Sequence, residues 1–252
     1  DRVANVFVNR SRWKIGVQTY RTYGTPTRLR FAGRVLREPG KNKSSIHDSA
    51  WKNLKSSFHQ FKSDEVPGAK VTISSSIQDD SVPTIADEEG YLHALIPLKG
   101  ETPHGWNFLS ATIDDLPYGE KISDRDLGEC LVPSPHARFG IISDIDDTVL
   151  HTQVSNKLKM LLWSIAHNGW TRLPLPGVAR LYRQLTIVNG DEGVNPVFYV
   201  SSSPWNLYPT VVDFLDGADL PKGPILLRDL GVGKNSSLGG NHEHKETKIV
   251  DI

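Results

Sequence analysis

The sequence predicts an all-β sandwich followed by an α/β domain built on a parallel, doubly wound sheet. Three observations predict it. In the first half, short and often alternating apolar strands are separated by Gly, Pro and Asp, which is sandwich spacing. In the second half, strand patterns alternate with helical stripes, and that order implies parallel strands with crossover helices. Where the second half begins, the apolar run Phe139-Gly140-Ile141-Ile142-Ser143 stops at Asp144, and Asp146, Asp147 and Thr148 follow in close order. The boundary is drawn between residues 135 and 136.

The elements follow in order. Residues 3–7, 14–20, 29–35, 69–74, 91–97 and 106–112 read as strands. One interruption is helical: Asp48-Ser49 can cap a segment that puts Trp51, Leu54, Phe58 and Phe61 near one face, where they read as core. Gly33-Arg34-Val35-Leu36, Pro67-Gly68-Ala69-Lys70-Val71 and Asp87-Glu88-Glu89-Gly90-Tyr91 resemble the turns of prealbumin-like sandwiches appended to many enzymes. No catalytic set stands out in this half. Its role is open between an accessory, partner-binding unit and a packing and solubility unit. Residues 129–136 read as the junction, because Pro133 and Pro135 favour an extended connection. Residues 141–145 then form a strand. Val178, Leu181, Tyr182 and Leu185 give a helical stripe. Residues 197–200 form the next strand, and 205–215 a helix with Leu207, Val211, Phe214 and Leu215 inward. Residues 225–227 form a third strand, and a helix begins over 245–252.

Bulk properties exclude several classes. The chain has 252 residues, 38% hydrophobic and 23% charged, which is ordinary for a globular protein. Lys+Arg and Asp+Glu are both 29, so no global field attracts nucleic acid. A lone Cys130 excludes an intrachain disulfide framework and a cysteine-rich metal site. No apolar run approaches the roughly 18 residues of a helical membrane span. The expected location is cytoplasmic or peripheral to a membrane.

The acidic cluster carries the chemistry. Acids at the C-terminal end of a buried strand sit where an α/β sheet opens to ligand. Carboxylates two residues apart, Asp144 and Asp146, can share one divalent cation and divide nucleophile and acid/base roles. The alternative is a strand running into an acidic turn that caps a helix. Ser201, at the end of strand 197–200, lies beside Asp144 if the two strands are neighbours, placed to donate to a phosphoryl oxygen. Ser203 reads as the cap of the helix beginning near Pro204. Lys245 and Lys248 can neutralise a phosphoryl group; the alternative is a solvated surface charge. His242 and His244 flank Glu243 and read as loop histidines, since hard Mg²⁺ prefers oxygen ligands.

These strings resemble a known family. Asp144-x-Asp146-x-Thr148, Ser201 after a strand and a helical Lys, in that order, resemble the haloacid dehalogenase superfamily of phosphohydrolases, with its Rossmann-like parallel sheet. Ile142-Ser143-Asp144-Ile145-Asp146-Asp147-Thr148-Val149, Phe198-Tyr199-Val200-Ser201-Ser202-Ser203-Pro204-Trp205-Asn206-Leu207-Tyr208 and His244-Lys245 are similar to the actin-patch-protein type of phosphatidate phosphatase, a relative of the lipins. The resemblance implies a hydrolase that turns phosphatidate into diacylglycerol and phosphate. It implies Asp144 as the nucleophile, forming an aspartyl-phosphate, and Asp146 as acid/base. It implies Thr148 as support for the catalytic loop, Ser201 as the phosphate-binding hydroxyl, and Lys245 as the lysine steadying nucleophile and phosphate. It also implies Mg²⁺, held by the Asp144 carboxylate and the Asp146 backbone carbonyl. In-line phosphoryl transfer needs such positioning and charge neutralisation more than anything else.

The family carries a fourth motif, a strand ending in Gly-Asp-Ser beyond the lysine helix, and residues 1–252 stop before it. The expectation is a chain that lacks this C-terminal motif, as a piece of a longer protein would. Alternative functions are a phosphatase for another phosphomonoester, soluble or protein-bound, and a membrane- or scaffold-binding protein with a vestigial site. The substrate argument rests on residues 155–170. Ser155 can cap a helix and Gly169 can end it. Leu158, Leu161, Leu162, Ile165 and Ala166 form a stripe, widened by Met160 and Trp163 and flanked by Lys157, Lys159 and Arg172. Such a helix can rest on an anionic bilayer and present a lipid phosphate. The commoner use of an amphipathic helix is to cover a sheet.

Overall fold

The computed structural model describes residues 12–37, 65–100, 103–122, 125–145, 177–191, 194–228, 248–250 and 252. Among the described residues the N-terminal unit has nine strands: β1 (Lys14–Thr19), β2 (Arg21–Tyr23), β3 (Arg28–Arg37), β4 (Lys70–Ser75), β5 (Ser81–Ile85), β6 (Tyr91–Pro97), β7 (Gly105–Asp115), β8 (Glu120–Lys121) and β9 (Asp126–Val132). They pair into two sheets, ordered β6-β3-β1-β8 and β2-β9-β7-β4-β5.

Period-two alternation explains why these sheets face each other. On β6, Leu92, Ala94 and Ile96 are buried while His93 and Leu95 are exposed. On β7, Leu109, Ala111 and Ile113 are buried, and Val71 and Ile73 follow suit on β4. The β7 and β4 side chains meet those of β6, together with Ile15, Leu29 and Phe31 of the β6 sheet, in one hydrophobic cluster. Cys130 belongs to it, and burial pushes its thiol pKa up, so it is core rather than nucleophile. The turn into β6 needs Gly90, with φ of 79°. There the Asp87 carboxylate accepts from the N–H groups of Glu89 and Tyr91 at 2.9 and 2.8 Å.

Four strands, β2, β5, β8 and β9, fall where none was expected. β9 pairs with both β7 and β2, so residues 129–132, assigned to the junction, belong to an interior strand; only Pro133 onward is connector. β5 carries Pro83, which demotes a strand pattern. Its position at the sheet edge, paired only to β4, accommodates that proline. The expected strand over 3–7 and the helix bearing Trp51, Leu54, Phe58 and Phe61 lie outside the described residues.

The C-terminal unit is built on β10 (Ile141–Asp144), β11 (Val197–Pro204) and β12 (Ile225–Arg228), all parallel, in the order β10-β11-β12. Among the described residues, no strand of the first half enters this sheet. Val197, Phe198, Tyr199 and Val200 are all buried, the continuous apolar run of a strand covered on both faces. Helix α1 (Val178–Thr186) turns Tyr182 and Thr186 inward, while Leu181, expected inward, is exposed. A 3₁₀ turn (Trp205–Leu207) precedes helix α2 (Tyr208–Gly217), whose buried residues are Tyr208, Val211 and Leu215. Before β12 the chain passes so close to β11 that a Cβ on Gly223 would run into the Val197 carbonyl. The second hydrophobic cluster crosses the junction. It gathers Ile145, Tyr182, Tyr199, Leu207, Tyr208, Leu215 and Ile225 from the C-terminal unit with Tyr20, Ala32 and Tyr91 from the first.

Candidate active site

Strand β10 ends on Asp144. The pleat turns Ser143 and Ile145 inward and leaves Asp144 half-buried. Ser143 Oγ is 2.8 Å from the Tyr182 hydroxyl in a buried hydrogen bond, which fixes the strand end against α1. The parallel register pairs Ile141 with Val197 and Asp144 with Val200. Ser201 is therefore the next residue along the adjacent strand, at the same C-terminal sheet edge as Asp144. The neighbour relation on which the pairing of these two residues depends is present.

The serines after Val200 lie in an irregular stretch. β11 and β12 stay in register at Val200–Leu226 and rejoin at Pro204–Arg228, with a shift between. Such bulges re-aim side chains beside active sites. Ser201 is fully buried, and its Oγ accepts from the Ser203 backbone N–H at 2.9 Å. That bond occupies a lone pair of Oγ; the hydroxyl proton is a separate donor. Ser203 itself does not cap a helix. The 3₁₀ turn has Pro204 at its N-cap with no side-chain hydrogen bond, and α2 has none either. Ser203 is buried and serves through its main chain, so the capping expectation is corrected.

Three residues of the first unit hold the turn that follows these serines. Tyr20 stacks on Trp205, ring centroids 4.3 Å apart at 22°, and reaches Tyr208 at 4.7 Å. Arg34 Nη1 donates to Asn206 Oδ1 at 2.8 Å. The Arg21 main-chain N–H donates to the Tyr208 hydroxyl at 2.7 Å. Burial pushes the Tyr208 pKa well above the ordinary tyrosine value, so the hydroxyl stays neutral. Sequence reasoning missed these residues, since none lies near the acidic cluster in the chain; Tyr20 and Arg34 read as ordinary strand positions.

Asp146, Thr148, Lys245, His242, His244 and the segment 155–170 lie outside the described residues. Lys248 is described, in a helical stretch over 248–250. Among the described residues, no group of three or more His, Cys, Asp or Glu gathers to hold a metal. Asp144 offers the hard carboxylate oxygen that Mg²⁺ takes, and Mg²⁺ needs only one or two such ligands beside its waters. The donor chemistry therefore fits that ion. No helix among the described residues is long and apolar enough to cross a membrane.

Comparison with known proteins bears on this sheet edge. Residues 139–252 match the family model described as "Phosphatidate phosphatase APP1, catalytic domain". A relative from Saccharomyces cerevisiae, Phosphatidate phosphatase APP1, is 26% identical over 172 residues, which is 67% of this chain and 28% of the yeast protein. The chain thus spans less than a third of that relative. The alignment is longer than the family match, so it runs into the first half as well. Residues 139–252 are accordingly similar to the catalytic domain of APP1-type phosphatidate phosphatases.

Proposed function

We propose that this chain is the catalytic part of a Mg²⁺-dependent phosphatidate phosphatase of the haloacid dehalogenase type, acting through an aspartyl-phosphate. The observation that supports it best is the register of β10 and β11, which pairs Asp144 with Val200, the residue before Ser201, at one sheet edge.

In this reading Asp144 attacks the phosphorus in line. A bond forms between its carboxylate oxygen and phosphorus, and the bond to the glycerol oxygen breaks. Asp146 gives that departing oxygen its proton, releasing diacylglycerol. Asp146 then takes a proton from water, which attacks the aspartyl-phosphate and frees phosphate. Ser201 donates to a phosphoryl oxygen, Lys245 balances the charge, and Thr148 supports the loop carrying both acids. Mg²⁺, held by the Asp144 carboxylate and the Asp146 carbonyl, would supply charge neutralisation of the transferring group.

The proposal extends to the surface. The basic amphipathic segment 155–168 meets an anionic bilayer and presents the lipid phosphate. It follows Thr148 within a dozen residues, so the chain cannot carry it far from the site.

The experiment is hydrolysis of phosphatidate in mixed micelles by the full-length protein, with and without Mg²⁺. Release of diacylglycerol that disappears on chelation supports the reading. Hydrolysis of soluble phosphomonoesters alone moves the substrate away from lipid. No hydrolysis of either leaves a vestigial site and overturns the proposal.

A further inference from the structure

The reaction above gives the N-terminal unit no part. Yet several of its contacts with the C-terminal unit fall on residues 205–208, just beyond Pro204 and the three serines. Arg34 is the decisive one. It lies on β3 and is only 4% exposed. Nε donates to the Glu89 carbonyl at 2.7 Å, Nη2 to Glu65 Oε1 at 2.9 Å, and Nη1 to Asn206 Oδ1 at 2.8 Å. The face of the guanidinium lies over the Tyr91 ring, 4.3 Å from its centroid.

A guanidinium this deep is tolerated only when its donors are engaged, and an apolar residue of like volume often serves packing equally well. What an apolar residue cannot do is fix direction. The planar fork has its three nitrogens at set angles, and two of them, Nε and Nη2, are tied to the first unit. The third therefore points at one place, the Asn206 side chain. Asn206 sits in the 3₁₀ turn that begins one residue after Pro204, where β11 regains its register with β12. The serine stretch is thus pinned at Val200 by strand pairing and beyond Pro204 by Arg34. Tyr20, stacked on Trp205, closes the same turn from the side.

We propose that Arg34 is a positioning residue: acting through Asn206, it fixes the turn that anchors the Ser201 stretch, so that the β unit presets the phosphate-binding hydroxyl. The catalytic consequence rests on the phosphatase reading; the grip itself does not.

The test uses the full chain with Arg34→Met, Asn206→Ala, their double variant and Asn206→Asp. Hydrogen exchange reads the grip. Arg34→Met and Asn206→Ala should each speed exchange across residues 201–208 by about tenfold relative to β10 and β12, while Asn206→Asp, which keeps an acceptor for Nη1, stays close to the unmodified protein. Kinetics on a soluble phosphomonoester read the consequence. The kcat should fall roughly tenfold or more with KM little changed, because misplacement of a positioning group acts on the transition state. The double variant should be no worse than the poorer single variant, since both remove one coupling. Unchanged exchange over 201–208 in Asn206→Ala overturns the inference, and so do additive losses in the double variant, which would make Arg34 a general support of the interface. If Arg34→Met fails to fold, the contrast between Asn206→Ala and Asn206→Asp decides alone. If the unmodified protein hydrolyses nothing, the phosphatase reading falls and the exchange arm still judges the grip.

Discussion

Asp144 bears the proposed chemistry, and the loss of one charge tests it. Asp144→Asn keeps the shape of the side chain at a half-buried position, so melting temperature should hold. Phosphatase activity should drop at least roughly a hundredfold, because covalent attack needs the carboxylate; Asp146→Asn should match it through loss of the proton carrier. Full activity in either purified variant removes the assignment. Ser201→Ala separates two effects. The buried Ser203 N–H loses its acceptor, which should lower unfolding free energy by about 1–3 kcal/mol. Separately, a phosphoryl oxygen loses its donor, which should lower kcat/KM. Denaturant melts read the first effect and kinetics the second; retained kcat/KM would strip Ser201 of its phosphate role. The position of Asp144 was legible because an apolar strand cannot continue through clustered carboxylates. Ser203 was misread because a serine before a proline has the composition of a cap, and composition does not say which serine the backbone turns around. Arg34 was invisible for another reason: its partners Glu65, Glu89 and Asn206 are scattered along the chain, and only tertiary structure assembles them.

At the scale of elements, strands with clean alternation were readable and strands defined by their neighbours were not. β6 was anticipated with its full bounds, since Leu92, Ala94 and Ile96 alternate with His93 and Leu95. Residues 129–132 of β9 were taken for connector because Pro133 and Pro135 beyond them favour an extended connection. Its pairing to β7 and β2 overrides that local signal. The approach of the chain to β11 makes a sharp prediction. Gly223→Ala would drive a methyl group into the Val197 backbone, which cannot swing away as a flexible side chain would. The variant should lose about 1–3 kcal/mol or more, read as a lower melting temperature; an unchanged one would mean that the Pro221–Pro224 loop yields freely. For the segment 155–168, outside the described residues, replacing Leu161 and Trp163 by Ser discriminates between its two uses. A lipid-facing helix predicts weaker binding to anionic vesicles with little change on a soluble phosphomonoester. A helix covering the sheet predicts that both activities and thermal stability fall together, since Ser in place of Leu leaves a void and an unpaired hydroxyl.

For the whole molecule, the two hydrophobic clusters are unequal. The first is drawn wholly from residues up to Val132, so the β unit has a complete core of its own. The second borrows Tyr20, Ala32 and Tyr91 from that unit, and Tyr23 packs against Phe198 at 5.4 Å. Arg21 adds a two-pronged pair to Asp216 at 2.9 and 2.8 Å. The boundary near residue 135 is therefore a boundary of chain, with apolar packing across it. Two results follow. Proteolysis should nick the exposed connector after Val132, where Pro135 and His136 lie open to solvent, and the two pieces should still elute together on gel filtration. Expressed separately, residues 1–135 should melt cooperatively. Residues 136–252 should not, because removing three buried partners exposes Trp205 and Tyr208 to water and each lost aromatic contact costs on the order of a few kcal/mol. Mixing the two pieces should restore a single sharp melt. If residues 136–252 alone melt like the intact chain and hydrolyse substrate as fast, the β unit contributes neither stability nor positioning, and the shared cluster is a contact without consequence.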